Sequence, residues 1–396
     1  MNPNSLDDLR VNISPPVREV LGDMVALRRD LHSHPELSNQ EHRTRQFVLD
    51  HLAAYGVDSR PLGGTGATAF IRGHRPGKVL LLRADLDALP ITEETRAPYC
   101  SQTPGVMHAC GHDAHTAMLL TTARLLAARG IKVGAVKMLF QPAEEVGNGA
   151  QQMIEAGILT DPVVDASLTF HVWSQYGIGQ VVALDGPAMA SVDEFRVTVK
   201  GRGVHAAVPE DGIDPIVAAC HLVTAAQSLV SRNTSPHNAA VLSFTSLTGG
   251  NTFNVIPDQV VILGTIRTFR AEVRANLKDG LVRVSKAVAS SMGAEANVEF
   301  VEENQPVVND PATAAMVRSV AAEVVGPDRI VSPHPLMPGE DIGLIHERVP
   351  GVIAFLGCGA VDGSSFPHHH PQFDIDERVL PIGVEVALRF VARFLG

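Results

Sequence analysis

The chain has 396 residues, 45% hydrophobic and 19% charged, which is enough apolar material for a full core and a length that predicts two domains. A formal net charge of -11 with no basic run excludes the electrostatic footprint of a nucleic-acid or anionic-membrane binder, leaving a small molecule or peptide as the expected partner. No apolar run reaches the ~18 residues of a membrane span, and MNPNSLDDLR has acidic residues where a secretory leader carries Lys or Arg, so a cytoplasmic location is expected.

From residue 40 to 187, apolar runs alternate with helical patterns: VLLLRA (79–84), a helix near 114–129, AVKMLF (135–140) and SLTFHV (167–172). This alternation predicts an α/β layer architecture. The rhythm changes between 193 and 303, where strand EFRVTVKG, a helix at 214–231, strands AAVLSFTSL and QVVILGTIRTF, a helix at 272–291 and strand NVEFVE follow in the order of a ferredoxin-like split βαβ unit. Alternation resumes after 304, with strand GVIAFLG (351–357) and a terminal helix from about 380. The expected organisation is one α/β domain, residues 1–187 and 304–396, interrupted by a smaller α+β domain at 188–303. Cys100, Cys110, Cys220 and Cys358 are widely spaced and form neither a disulfide framework nor a CxxC pair.

Chemistry concentrates after the predicted strands. In MHACGHDAH, His108, Cys110 and His112 alternate, so an extended backbone would project all three to one face, a sulfur and imidazole set suited to zinc. A buried structural thiol with hydrogen-bonded histidines is the alternative. LFQPAEEVGNG puts Glu144 and Glu145 behind an apolar strand and a Pro, where α/β sheets keep their ligand sites. They read either as a metal ligand beside a general base or as a solvated helix N-terminus. His171 closes LTFHVW, and HHHPQFD supplies His368, His369 and His370. Sulfur, imidazole and carboxylate groups in several such loops favour a centre holding two cations.

These blocks, with LHSHPELSNQEHRT, RADLDALPITEET, GRGVHAAVPEDGIDP, FNVIPDQVVILGTIRTF and PGEDIG, run in order along nearly the whole chain. In them the sequence resembles the aminoacylase and carboxypeptidase family of di-zinc metallopeptidases, in the branch of hippurate hydrolases and indoleacetyl-amino-acid hydrolases. The resemblance implies a metallopeptidase-type catalytic domain with a mixed sheet and flanking helices, and an inserted lid and dimerisation domain. It implies two divalent metals per subunit, zinc first, with manganese, cobalt or nickel as alternatives. Cys110 would bridge them, with His112, Glu145, His171 and His369 as further ligands. Glu144 would be the base that deprotonates the attacking water and later protonates the leaving amine. Asp87 would orient a ligand or the base, a strand-end cap being its other reading.

On the inserted domain, the resemblance implies that His205 reaches across a homodimer to stabilise the oxyanion, while Asn254 and Arg267 bind the substrate carboxylate. The implied reaction splits N-acyl amino acids into a carboxylic acid and an amino acid. A dipeptidase or carboxypeptidase and a catalytically inactive dimeric ligand binder are the rivals. Two departures bear on the acyl pocket: Val204 stands where the family has Gly, and Ile342 where it has an aromatic.

Overall fold

Strands buried on both faces read as unbroken apolar runs, and that is why VLLLRAD, AVKMLFQ and GVIAFLG lie at the centre of the larger sheet. The computed structural model describes residues 6–360 and 365–396, so the first half of MNPNSLDDLR lies outside the described residues. The large sheet has seven strands in the order Asp58–Leu62, Gly66–Arg72, Val133–Gln141, Arg75–Asp85, Ala166–Gly177, Gly351–Gly359 and Val181–Val182. Its four middle strands run parallel, with antiparallel strands outside them, so the sheet is mixed, as expected. Leu80, Leu82, Val136, Leu168, Val352 and Leu356 pack with Leu120 of helix His112–Arg129 and Phe390 of helix Val379–Leu395 in one core. No helix among the described residues is long and apolar enough to cross a membrane.

The chain divides into two compact units. The first runs to Ala188 and includes Val308–Pro335 and Asp341–Gly396; the second comprises Met189–Val307 and the short return Leu336–Glu340. No composition shift in the sequence marks that return. In the second unit an antiparallel sheet has the order Ala240–Thr248, Gln259–Thr268, Val192–Lys200, Glu295–Asn304. Val192–Lys200 alternates between buried and exposed residues, and its inward Phe195, Val197 and Val199 meet Leu222 and Leu229 of helix Pro215–Ser231 and Leu277 and Leu281 of helix Ala271–Ser291.

Candidate metal centre

The carboxyl ends of the parallel strands supply most of the polar side chains of the first unit's candidate site. Asp85 ends strand Arg75–Asp85 and Asp87 follows it; Gln141 ends strand Val133–Gln141, three residues before Glu144. Between them Ala143 adopts a left-handed backbone (φ 54°), held by Glu41, whose carboxylate accepts the Ala143 N–H at 2.8 Å. His171 lies within Ala166–Gly177, opposite Phe355.

The expected extended backbone through His108, Cys110 and His112 is not what forms. Gly111 turns left-handed at φ 88° and helix His112–Arg129 begins directly after it. A Cβ at Gly111 would lie 2.4 Å from Cγ2 of Val172, so only glycine fits both the turn and the space. The turn brings the Cys110 sulfur within 3.6 Å of Nε2 of His171 and leaves His108 outside every donor group among the described residues.

Donor atoms gather in overlapping sets: Cys110, His112 and His171; Cys110, Glu145 and His369; and His112, Glu144 and Glu145. Each set lies within 4.8 Å and includes Cys110 or His112. The three consecutive histidines separate cleanly. His369 Nε2 is 3.4 Å from Glu145 Oε2, whereas His368 stacks on Trp173 with its Nε2 at 3.0 Å from the Val172 carbonyl, and His370 stacks on Phe366.

Hydrogen bonds set the tautomers. His112 Nδ1 faces the Asp87 carbonyl at 2.9 Å, and His171 Nδ1 faces the Val172 carbonyl at 2.7 Å, so each Nδ1 carries a proton and each Nε2 turns toward the cluster. His112 Nε2 and Glu145 Oε1 are buried without a hydrogen-bond partner and stand 3.8 Å apart. Orphaned buried donors and acceptors of this kind fit a bound cation.

The charges fit as well. Burial opposes charge on His112, but Asp85, Asp87 and Glu145 outweigh it and raise its pKa to about 10, so these carboxylates favour a positive charge at Nε2, where a cation would displace the second ring proton. Burial, reinforced by Glu145 and Glu144, pushes the Cys110 thiol well above its ordinary range, so its thiolate needs a cation beside it. Burial also works against ionised Asp87, yet bonds from His112, Ser38 and the Glu145 N–H keep it below the usual carboxylate range.

Residues beyond the sequence reading surround this cluster. His115 is one turn along the helix from His112, but both its nitrogens are occupied: Nδ1 is 2.6 Å from Asp85, and Nε2 accepts the Val172 N–H at 2.9 Å. Although Asp85, His112 and His115 lie close enough to hold an ion, the His115 lone pair is thus already used. Its place in MHACGHDAH, three residues after His112, is the signal in the sequence.

The second unit carries the other expected residues. His205 and Asn254 adjoin in one small ladder, in which Val255 pairs with His205 and the Ala206 N–H donates to the Asn254 carbonyl at 2.9 Å. His205 is exposed, and its Nδ1 accepts the Ala207 N–H at 3.1 Å. Arg267 lies in the four-stranded sheet, on strand Gln259–Thr268 opposite Val241.

The model of peptidase family M20/M25/M40 matches residues 81–393. The chain belongs to that family. It is a metal-binding hydrolase of the metallopeptidase class. It is 42% identical over 372 residues to N-acetyl-L-cysteine deacetylase of Bacillus subtilis (strain 168), covering 93% of this chain and 86% of the relative. It is also 41% identical over 297 residues to N-acyl-L-amino acid amidohydrolase of Geobacillus stearothermophilus, covering 74% and 80%. Among solved structures it resembles Bacillus subtilis YXEP, described as a dinuclear metal binding peptidase of the M20 family, with a TM-score of 0.83, 34% identity and coverage of 96% and 99%.

Proposed function

We propose that this M20 protein is a metal-dependent amidohydrolase that cleaves N-acyl amino acids to a carboxylic acid and a free amino acid. The observation that carries the reading is the convergence of Cys110, His112, Glu144, Glu145, His171 and His369, with His112 Nε2 and Glu145 Oε1 buried and lacking hydrogen bonds. The activities named for the relatives from Bacillus subtilis and Geobacillus stearothermophilus support the substrate class.

Cys110, shared by two donor sets, would bridge two divalent cations, His112 and His171 completing one side and Glu145 and His369 the other. Such cations, zinc first among the candidates, supply Lewis acidity to the scissile carbonyl and the attacking water. Glu144 takes the proton from that water and returns it to the leaving amine nitrogen, so the acid gains the water oxygen and the amine gains the proton. Asp87 holds the His112 ring and the Glu145 backbone in register. The inserted domain, 188–303, would serve as lid and dimerisation domain. In a homodimer, His205 would stabilise the partner site's oxyanion, and Asn254 and Arg267 would hold the substrate carboxylate.

The test is amino-acid release from N-acetyl, N-benzoyl, long-chain acyl and indoleacetyl amino acids and from simple dipeptides, with chelation and metal add-back. Chelator-sensitive release from the acyl amino acids is expected. Release from dipeptides alone would make the protein a peptidase, and no release from a fully metal-loaded protein would sink the hydrolytic reading for this substrate class.

A further inference from the structure

Helix Leu21–Ser33 carries a fully buried arginine that the proposed chemistry does not use. The guanidinium of Arg28 spreads over three carboxylates. Nε donates to Asp113 Oδ2 at 2.8 Å, Nη2 to Asp374 Oδ1 at 2.8 Å and Nη1 to Glu377 Oε1 at 3.3 Å. Two of these lie beside donors of the candidate centre in sequence. Asp113 directly follows His112, and Asp374 comes shortly after His369 in HHHPQFD. Each has a second holder: His32 Nδ1 is 2.7 Å from Asp113 Oδ2, and Tyr99 Oη donates to Asp374 Oδ2 at 2.7 Å.

A guanidinium is planar and rigid, so carboxylates bound to its different edges are fixed relative to each other as well as to the arginine. The segment bearing Cys110 and His112 and the segment bearing His369 are far apart in sequence, yet Cys110, Glu145 and His369 must keep their donor atoms within ångströms of one another. Among the described residues, one direct backbone link joins the two segments near the donors, the His369 N–H to the Ala109 carbonyl at 2.8 Å. His369 itself holds a left-handed backbone, φ 63°, that a β-carbon-bearing residue disfavours.

We infer that Arg28 is a positioning residue of the metal centre: its fork between Asp113 and Asp374 sets the separation between the Cys110–His112 segment and the His369 segment. The inference rests on the reading of Cys110, Glu145 and His369 as metal ligands. Cys110, His112 and His171 gather without any residue of the His369 segment, so the effect of a changed separation falls on the cation that His369 helps to hold.

The test is a cobalt(II) titration of the metal-stripped full-length protein, read by visible absorption, including the thiolate-to-cobalt band of Cys110, and by elemental analysis. The unaltered protein takes up two cobalt ions per chain. Arg28→Lys, which keeps the charge and loses the fork, binds the first ion normally and the second about tenfold or more weakly. His369→Ala shows the same deficit, and adding Asp374→Asn to it brings no further loss, which a merely structural role would not produce. Should Arg28→Lys fail to fold, Asp374→Asn alone carries the test, since it leaves the Arg28–Asp113 pair intact and alters a side chain that is 34% exposed. Two-ion binding by these variants that is indistinguishable from the unaltered protein overturns the inference. Uptake of fewer than two ions by the unaltered protein overturns the two-metal reading instead.

Discussion

Asp87 holds His112 by two routes: the ring Nδ1 lies 2.9 Å from the Asp87 backbone carbonyl and 3.2 Å from its Oδ1. Its other carboxylate oxygen accepts the Glu145 N–H at 3.0 Å, so one side chain orients two proposed ligands. Asp87→Asn keeps the shape but offers an acceptor on one side only, which leaves a buried N–H of His112 or Glu145 facing an NH2 group. Metal affinity and kcat are expected to fall about 10- to 100-fold, as measured by metal content after dialysis and by steady-state kinetics. Unchanged metal affinity would show that the backbone carbonyl suffices.

Glu144→Gln removes the proposed proton carrier without removing a proposed ligand. Metal content is expected to stay at the level of the unaltered protein while kcat falls about 10²- to 10⁴-fold. Full activity in the metal-loaded variant would assign the proton transfers to another group.

Gly111→Ala meets two obstacles, the φ of 88° and the 2.4 Å approach to Val172 Cγ2. Relief requires the Cys110–His112 turn or strand Ala166–Gly177 to move, and either shift separates Cys110 from His171. The expected cost is about 1–3 kcal/mol of stability, with weakened metal binding, read by denaturant unfolding of apo and loaded protein. A stable variant with normal metal content would show that the turn has slack.

His346, which belongs to none of the donor sets, gives the fold an acid-sensitive element. Burial, with Arg83 adding to it, lowers its pKa from 6.5 to about 3. Above the unfolded value neither state holds the extra proton. As pH falls from 6.5 toward 3, the unfolded chain takes up a proton that the folded one refuses, so stability is lost across that window. His346→Leu removes the titration, and its Tm should fall less than that of the unaltered protein between neutral pH and about pH 4.5. Parallel Tm profiles would mean that His346 is accommodated in charged form.

Local chemistry was legible in the sequence wherever it depended on neighbours along the chain. Apolar runs marked the buried parallel strands, alternation marked the half-exposed strands of the second unit, and MHACGHDAH and QPAEE marked the loops where donor atoms gather. What depends on distant segments was not legible. The alternation of His108, Cys110 and His112 suggested a common face, but Gly111 turns left-handed in a space beside Val172 that has no room for a β-carbon. The saturation of His115 depends on Asp85 and Val172, and the Arg28 network joins residues more than 340 positions apart. The resemblance put His369 forward among the three histidines, but the occupation of His368 and His370 by Trp173 and Phe366 depends on how the side chains pack and was not legible.

With His369 as the proposed ligand, that last arrangement leaves the histidine triplet no redundancy. Three identical side chains in a row suggest that a neighbour could take over if one were lost. Yet His368 is committed to an aromatic stack and a carbonyl, and only the middle position has the reversed backbone pinned to Ala109 that aims an imidazole at Glu145. A one-residue insertion or deletion in this loop would keep the composition and lose the centre, so the protein should tolerate a change of length here far less well than its histidine count implies.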